Sequence, residues 1–533
     1  MPTWGMGLSS VRRRPRGRAL AALLLVVAVA SGLLVSCSSS GGSAGSVTGS
    51  LGTRPSTTST TAPAPGASAA PPIRWSSCDD GRAECGLLAV PLVGTSDRAT
   101  ADAKTIDLAL YRLPARDPGA KIGSLLVNPG GPGASGIDLA RAATSFLPDA
   151  VLDRFDVLGW DPRGVGASSP IDCGPRLDYL FSGDTSPDDA AEWSALDDVS
   201  ERFAKDCGAR TDAELLAHIS TMETVRDMER IRRSLGEDQI SYLGFSYGTV
   251  LGALYATLYP DRVRAMVLDG AVDPTLSAME SATQQAEGLE RGLEEFFAGC
   301  TRDDDCAIHD DPSGTYTDVM KSIETAPMRV RENGEERLLT PAEADIAVAA
   351  ALYSQGSWSD LQRALASAHE GNGRGMLDLF DGYMTRDSGG TYDEEWPAFL
   401  AISCLDGPSL GGPNVYPTAE VAAAARAPRF GAANIGLGLP CAYWSVPTAA
   451  PIPSVSAPTA APIVVIGTRH DPITPLTWSQ SLVTELGGQA HLVVFEGQGH
   501  TSFGSGSGCL DDRITAYLVD LVVPPPDLSC GSG

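Results

Sequence analysis

Gly-x-Ser-x-Gly, a pattern that can present a serine hydroxyl as a nucleophile, occurs three times in the chain. Two copies fail on context. Gly41-Gly-Ser43-Ala-Gly45 sits in a stretch of small polar residues, and Gly407-Pro-Ser409-Leu-Gly411 has Pro408 before its serine and Gly412-Pro413 after it, so no helix can follow. Gly244-Phe-Ser246-Tyr-Gly248 ends a strand-like Gln239–Gly244 and opens the apolar helical run Gly248–Ala256. A serine on so sharp a strand-to-helix turn needs glycines beside it; the turn lifts its Oγ to the sheet edge and leaves the next N–H free.

A serine hydroxyl attacks only when a base takes its proton and an acid orients that base. On such a turn the acid, then the histidine, follow the serine in the chain. Of six histidines, His218 precedes Ser246, His309 and His369 lie mid-chain, His470 abuts an acid and His491 opens a strand. His500, in the glycine-rich Glu496-Gly-Gln-Gly-His500-Thr-Ser after a strand, is placed to hang over a sheet edge. Asp471 follows the strand-like Ile463–Ile466 and suits the acid, although Asp471-Pro472 is also a helix-cap signal; Asp269 and Asp273 are the alternatives.

The tetrahedral oxyanion needs preorganised N–H donors, each worth on the order of 10²–10³ in rate. Tyr247 supplies one, and Gly130 or Gly131 of Asn128-Pro-Gly-Gly-Pro-Gly133 the other. Gly131-Pro-Gly133-Ala-Ser-Gly136 also matches the dinucleotide fingerprint. It does not open the first βαβ unit, and Pro129 and Pro132 stiffen a loop that would have to wrap a phosphate. Asp161-Pro-Arg163 reads as structural, with Arg163 tying down the oxyanion loop or the nucleophile helix.

The elements that must position these residues alternate. Cys85–Leu92 and Thr105–Leu113 open as a strand pair, then Ser124–Asn128, Phe155–Trp160, Ile240–Gly244 and Val263–Leu268 read as short buried strands. Helical periodicity at Thr224–Leu235 separates two of them, and Ile463–Ile466, Leu492–Phe495 and a final helix near Asp511–Val522 complete the set. The pattern predicts a mostly parallel sheet flanked by helices. About 190 residues between Asp273 and Pro462 have helical character without the strand rhythm, too long for a loop and expected to form a lid. The expected division is 73–274 and 461–533 for the core and 275–460 for the lid.

The 533-residue chain carries a formal charge of −27. Its first 36 residues hold five arginines and no acid, so without them the charge is −32, which argues against a nucleic-acid partner. Those arginines, the apolar Ala19–Val35 and Leu34-Val35-Ser36-Cys37 resemble a bacterial lipoprotein signal, with Cys37 as the acylated residue. Residues 37–72 then read as a tether, which implies a membrane-anchored, extracytoplasmic body. Leaving Cys37 aside, ten of the 11 cysteines fall into neighbouring pairs, Cys78–Cys85, Cys173–Cys207, Cys300–Cys306, Cys404–Cys441 and Cys509–Cys530. No C-x-x-C or H-E-x-x-H occurs, and no metal or organic cofactor is implied.

Asn128-Pro-Gly-Gly-Pro-Gly133, Gly159-Trp-Asp-Pro-Arg-Gly-Val-Gly166, Gly244-Phe-Ser-Tyr-Gly-Thr249, Asp471-Pro-Ile-Thr-Pro475 and Gly499-His500-Thr501 together resemble the secreted tripeptidyl aminopeptidases. These form part of the prolyl-iminopeptidase-like group of α/β-hydrolases, and the likeness runs from about Trp75 to Cys530. It implies Ser246, Asp471 and His500 as a triad and release of short peptides from a free N-terminus. Prolyl iminopeptidases carry His where this chain has Pro129, which fits the tripeptidyl branch rather than proline specificity. An exopeptidase must also recognise an α-ammonium, and Asp406 and Glu280, near the lid–core junctions, are the candidate carboxylates. The rival readings are an envelope lipase or esterase with the same triad, and an inactive binding protein.

Overall fold

The computed structural model describes residues 71–94, 104–332, 335–407, 410–488 and 490–531. The leader with Cys37, and nearly all of the tether, lie outside them. Its strands are β1 (Arg74–Cys78), β2 (Ala83–Pro91), β3 (Thr105–Leu113), β4 (Gly123–Asn128), β5 (Phe155–Trp160), β6 (Ile240–Phe245), β7 (Val263–Asp269), β8 (Met328–Glu332), β9 (Glu335–Leu339), β10 (Ile463–His470), β11 (Ala490–Gln498) and β12 (Leu528–Cys530).

Ten of these form one sheet in the order β1-β2-β3-β5-β4-β6-β7-β10-β11-β12. The first three joints, up to β3–β5, are antiparallel, and every pair from β5 to β12 is parallel. Every residue of β5 and β6 is buried, as expected of strands covered on both faces. The helices Thr221–Leu235 and Gly248–Leu258 cover one face, with Met228, Val250 and Leu254 packed on Tyr242, Met266 and Val465. The helices Gly136–Arg141 and Gly508–Asp520 cover the other, with Leu139, Ile514 and Leu518 on Leu243, Val267 and Ile466.

Between β7 and β10 the chain is mainly helical, from Ala278–Thr301 to the short turn Leu439–Tyr443, and includes the antiparallel β8–β9 hairpin that periodicity did not reveal. This inserted stretch does not make the second lobe alone. Phe181, Phe203 and Leu216, from the excursion between β5 and β6, share one apolar cluster with Phe296, Ala347 and Phe380 of the insertion. The ring of Phe181 meets that of Phe380 edge-on at 5.3 Å. The expected boundary at residue 274 therefore assigns to the core a segment that packs with the lid.

Arg163 also differs from expectation. It is fully buried, but it holds Asp227 on the helix Thr221–Leu235 at 2.8 and 2.9 Å and the carbonyls of Leu92 and His218 at 2.9 Å. The side chain touching the oxyanion loop is Asp161, which accepts the Ser135 hydroxyl at 2.6 Å and the Ala167 N–H at 2.9 Å. All five expected disulfides are present. Among the described residues no helix is long and apolar enough to cross a membrane.

Candidate active site

Ser246 directly follows β6 with φ +52°, a left-handed conformation that costs a non-glycine residue on the order of 1–3 kcal/mol and persists only where the surroundings enforce it. Its N–H donates to the Asp269 carbonyl at 2.9 Å, and its carbonyl accepts the N–H and hydroxyl of Thr249 at 2.8 and 2.6 Å. The neighbouring glycines are required by close approach. A Cβ at Gly244 would lie 2.5 Å from the Gly248 carbonyl oxygen, and one at Gly248 would lie 2.9 Å from that of Asn128.

Asp471 and His500 meet just beyond the ends of β10 and β11, which β7 separates from β6 in the sheet. The ring Nδ1 lies 2.9 and 3.1 Å from the two Asp471 oxygens, and both side chains are buried. Asp471 also accepts the N–H groups of Ile473 and Thr474 at 2.8 and 2.9 Å and the Thr474 hydroxyl at 3.0 Å. Its capping role and its contact with the imidazole therefore coexist. With Nδ1 donating to the carboxylate, Nε2 is left as the basic nitrogen; it is buried without a hydrogen-bond partner. No hydrogen bond joins it to the Ser246 hydroxyl; His500 Cε1 would lie 3.0 Å from a Cβ at Gly270, the residue after Asp269, whose carbonyl holds the Ser246 N–H. A lid residue fixes the histidine from above, because the His500 N–H donates to the Tyr353 carbonyl at 2.8 Å.

The alternative acids have other employment. Asp269 accepts the N–H groups of Ser502 and Phe503 at 2.9 and 2.7 Å, holding the loop after the histidine, and burial pushes its carboxyl up to about 6. Asp273 caps the turn at Thr275.

At the oxyanion loop, the Gly130 N–H already donates to Asn128 Oδ1 at 3.0 Å, so Gly130 is not the donor. Its contribution is space, since a Cβ there would lie 3.0 Å from both Ser246 Cβ and the Tyr247 nitrogen. The N–H groups of Gly131 and Tyr247 have no partner among the described residues and remain for an incoming oxyanion.

Ser246, Gly131 and Tyr247 open onto a cavity of about 480 Å³ beneath the lid, with Leu289, Tyr353 and Trp396 on its walls. Neither sequence-predicted amine anchor lines it. Glu280 faces away on the lid helix, where Gln284 (2.8 Å) and then Arg426 (3.0 Å) hold its carboxyl below the usual range. Asp406 accepts the N–H and hydroxyl of Thr221 at 2.9 and 2.6 Å, and Thr221 also bonds the Tyr247 hydroxyl. Asp406 is thus a lid-to-core clasp beneath Tyr247, with burial raising it to about 6. The acids that line the cavity are Asp393 and Glu395, which sequence reasoning missed. Burial, then the charges of Asp393 and Asp138, push Glu395 up to about 8. The only signal for them was their position at the start of a lid helix, a property many acids share.

The sequence profile of the alpha/beta hydrolase fold matches residues 123–507. The chain is an α/β hydrolase. This hydrolase is 35% identical over 486 residues to the serine protease Hip1 of Mycobacterium tuberculosis, covering 86% of this chain and 91% of that protein. It is 34% identical over 481 residues to carboxylesterase B of the same species, covering 86% and 90%. With the tripeptidyl aminopeptidase of Streptomyces lividans it shares 27% identity over 458 residues, covering 84% and 83%.

Proposed function

We propose that this hydrolase is a serine peptidase that releases short, tripeptide-sized fragments from free N-termini by acyl-enzyme chemistry. His500 Nε2 takes the Ser246 proton as Oγ attacks the scissile carbonyl, and Asp471 holds the imidazole and stabilises it once charged. The N–H groups of Gly131 and Tyr247 receive the oxyanion. His500 then protonates the leaving amine, and water enters by the same base to release the acyl fragment.

The observation that carries N-terminal recognition is the sharing of one cavity by Ser246 and two carboxyl side chains, Asp393 and Glu395, neither ion-paired among the described residues. A buried carboxylate is the natural partner of a substrate ammonium. A volume of about 480 Å³ falls within the range of small-ligand pockets and limits how much peptide precedes the scissile bond. The names of the Hip1 and tripeptidyl aminopeptidase relatives support the same reading. Profiling of peptide mixtures by mass spectrometry tests it. Wild type trims free N-termini, while Ser246→Ala trims none; trimming of N-acetylated peptides at the same rate as free ones sinks the exopeptidase reading.

A second reading, an esterase acting on envelope lipids, is favoured by the carboxylesterase B relative. Its test is p-nitrophenyl acyl esters against tripeptidyl amides. We further place the enzyme outside the cytoplasmic membrane, anchored through acylated Cys37, and five disulfides support an oxidising compartment. Metabolic labelling with an alkynyl fatty acid should mark wild type and not Cys37→Ser.

A further inference from the structure

Away from the residues that line the catalytic cavity, carboxylates gather where the lid meets the excursion between β5 and β6. Asp184 lies in the loop after the turn Asp178–Phe181, Glu192 in the first turn of the helix Ala190–Arg210, and Glu324 in the last turn of the lid helix Pro312–Thr325. One carboxylate oxygen from each lies within 4.8 Å of the other two. The charge of Asp184 also acts on Asp345 and Glu420, which sit on two further lid helices. Among the described residues, none of these five acids forms an ion pair with Lys or Arg, and the charges acting on Asp184 and Glu324 are those of other carboxylates.

Two sealed oxygens point to a ligand independently of that clustering. Asp184 is only 9% exposed; its Oδ1 accepts the N–H and hydroxyl of Ser186 at 2.7 and 2.9 Å, whereas Oδ2 is shut from solvent with no donor. Glu420 is 4% exposed, and its Oε1 is also without a partner. A Cβ at Gly436 would lie 3.2 Å from that Oε1 and 2.0 Å from the Thr185 carbonyl oxygen, so a backbone acceptor faces the same region. Buried acceptors without donors are rare and costly, and several carboxylates around them raise that cost by mutual repulsion. A cation removes both penalties.

We propose that Asp184, Glu192 and Glu324 bind a calcium ion that ties the lid to the loop and helix between β5 and β6. The donor set is all oxygen and anionic, which selects a hard divalent cation. Calcium accepts the irregular geometry of ligands drawn from three separate elements. Magnesium demands a tighter octahedron at about 2.1 Å.

Calorimetric titration of calcium chloride into the purified full-length chain, stripped of metals and held near neutral pH, tests the assignment. One calcium binds per chain, and the Tm rises with calcium over chelator. Asp184→Asn and Glu324→Gln each weaken binding by about tenfold or more. Glu324 is exposed, so Glu324→Gln keeps the fold and serves even where Asp184→Asn does not. No saturable heat from the folded chain up to about 10 mM calcium overturns the proposal. So does an unchanged affinity in Glu324→Gln, or magnesium binding as tightly as calcium.

Discussion

Gly130→Ala probes the oxyanion site without replacing any residue of the proposed triad. The glycine has φ +101°, and its added methyl would stand 2.6 Å from the Phe245 carbonyl oxygen, 3.0 Å from Ser246 Cβ and 3.0 Å from the Tyr247 nitrogen. A carbon there covers the Tyr247 N–H, where the oxyanion must sit. Loss of one such donor costs on the order of 10²–10³ in kcat, about 2.7–4 kcal/mol of transition-state stabilisation, with little change in KM. The same φ also adds strain of about 1–3 kcal/mol, which lowers Tm for reasons unrelated to catalysis. Gly236→Ala separates the two effects, because Gly236 has φ +75° and nothing within 4 Å of its would-be Cβ. Steady-state kinetics on a tripeptidyl amide, beside thermal melts of both variants, give the answer. Gly236→Ala should lose stability and keep its kcat, and Gly130→Ala should lose kcat. A folded Gly130→Ala enzyme with kcat within about threefold of wild type refutes the placement of the oxyanion.

Thr474→Val removes the hydroxyl that reaches Asp471 at 3.0 Å and lies 3.2 Å from His500 Nδ1. A hydrogen bond to a charged carboxylate, about 1.5–3 kcal/mol, predicts a fall in kcat of roughly tenfold or more at unchanged KM. Glu395, with its carboxyl at about 8, is largely protonated at pH 6 and ionises as pH rises through 8. The preference in kcat/KM for free over N-acetylated substrates should climb across that window, then fall as the substrate amine deprotonates, and Glu395→Gln should flatten the profile. A raised folded-state pKa also means that the Glu395 contribution to stability is full below about 4.5 and is lost as pH rises through 8. Melts at alkaline pH should accordingly favour Glu395→Gln over wild type. Asp227→Asn leaves the fully buried Arg163 charge with only Glu223, at 3.7 Å, and should cost up to about 3–5 kcal/mol in denaturant melts, while Arg163→Met with Asp227→Leu should cost less.

Local pattern and long-range pairing divide what could be read from the chain. Strands buried on both faces appear as continuous apolar runs, so Phe155–Trp160 was legible to the residue and Ile240–Gly244 fell one short of β6. The edge strands β1 and β12 were not, because Arg74–Cys78 is short and largely exposed and Leu528–Cys530 is only three residues long. Gly-x-Ser-x-Gly was decisive only through its flanking strand and helix. The meeting of Asp471 with His500 was inferred from chain order, and here a 29-residue separation closes to 2.9 Å.

Partners far apart in sequence were a different matter. Arg163 finds Asp227 64 residues away, and Asp406 finds Thr221 185 residues away, with no periodicity to announce either pair. Glu280 illustrates the converse. It is near a lid–core junction, as reasoned, but helical phase turns it toward Arg426 and out of the cavity that Ala278, Ser281 and Ala282 line. Glu395 carried only the unspecific signal of an acid at the start of a lid helix; the closing of the lid over Ser246 gives that carboxyl a role.

The lid does more than enclose. The Tyr353 carbonyl holds the His500 backbone, and the Asp406–Thr221–Tyr247 chain links the lid to the residue after the nucleophile. Both contacts fall on the machinery itself, so displacement of the lid would disturb base and oxyanion site together.

The most direct test is covalent capture of the nucleophile. Incubation of the full-length chain with a fluorophosphonate, followed by peptide mapping, should place a single adduct on Ser246. His500→Ala should suppress that labelling by roughly the 10³-fold or more expected when the general base is lost. An adduct on another serine, or labelling of Ser246 at an undiminished rate in folded His500→Ala, contradicts the account.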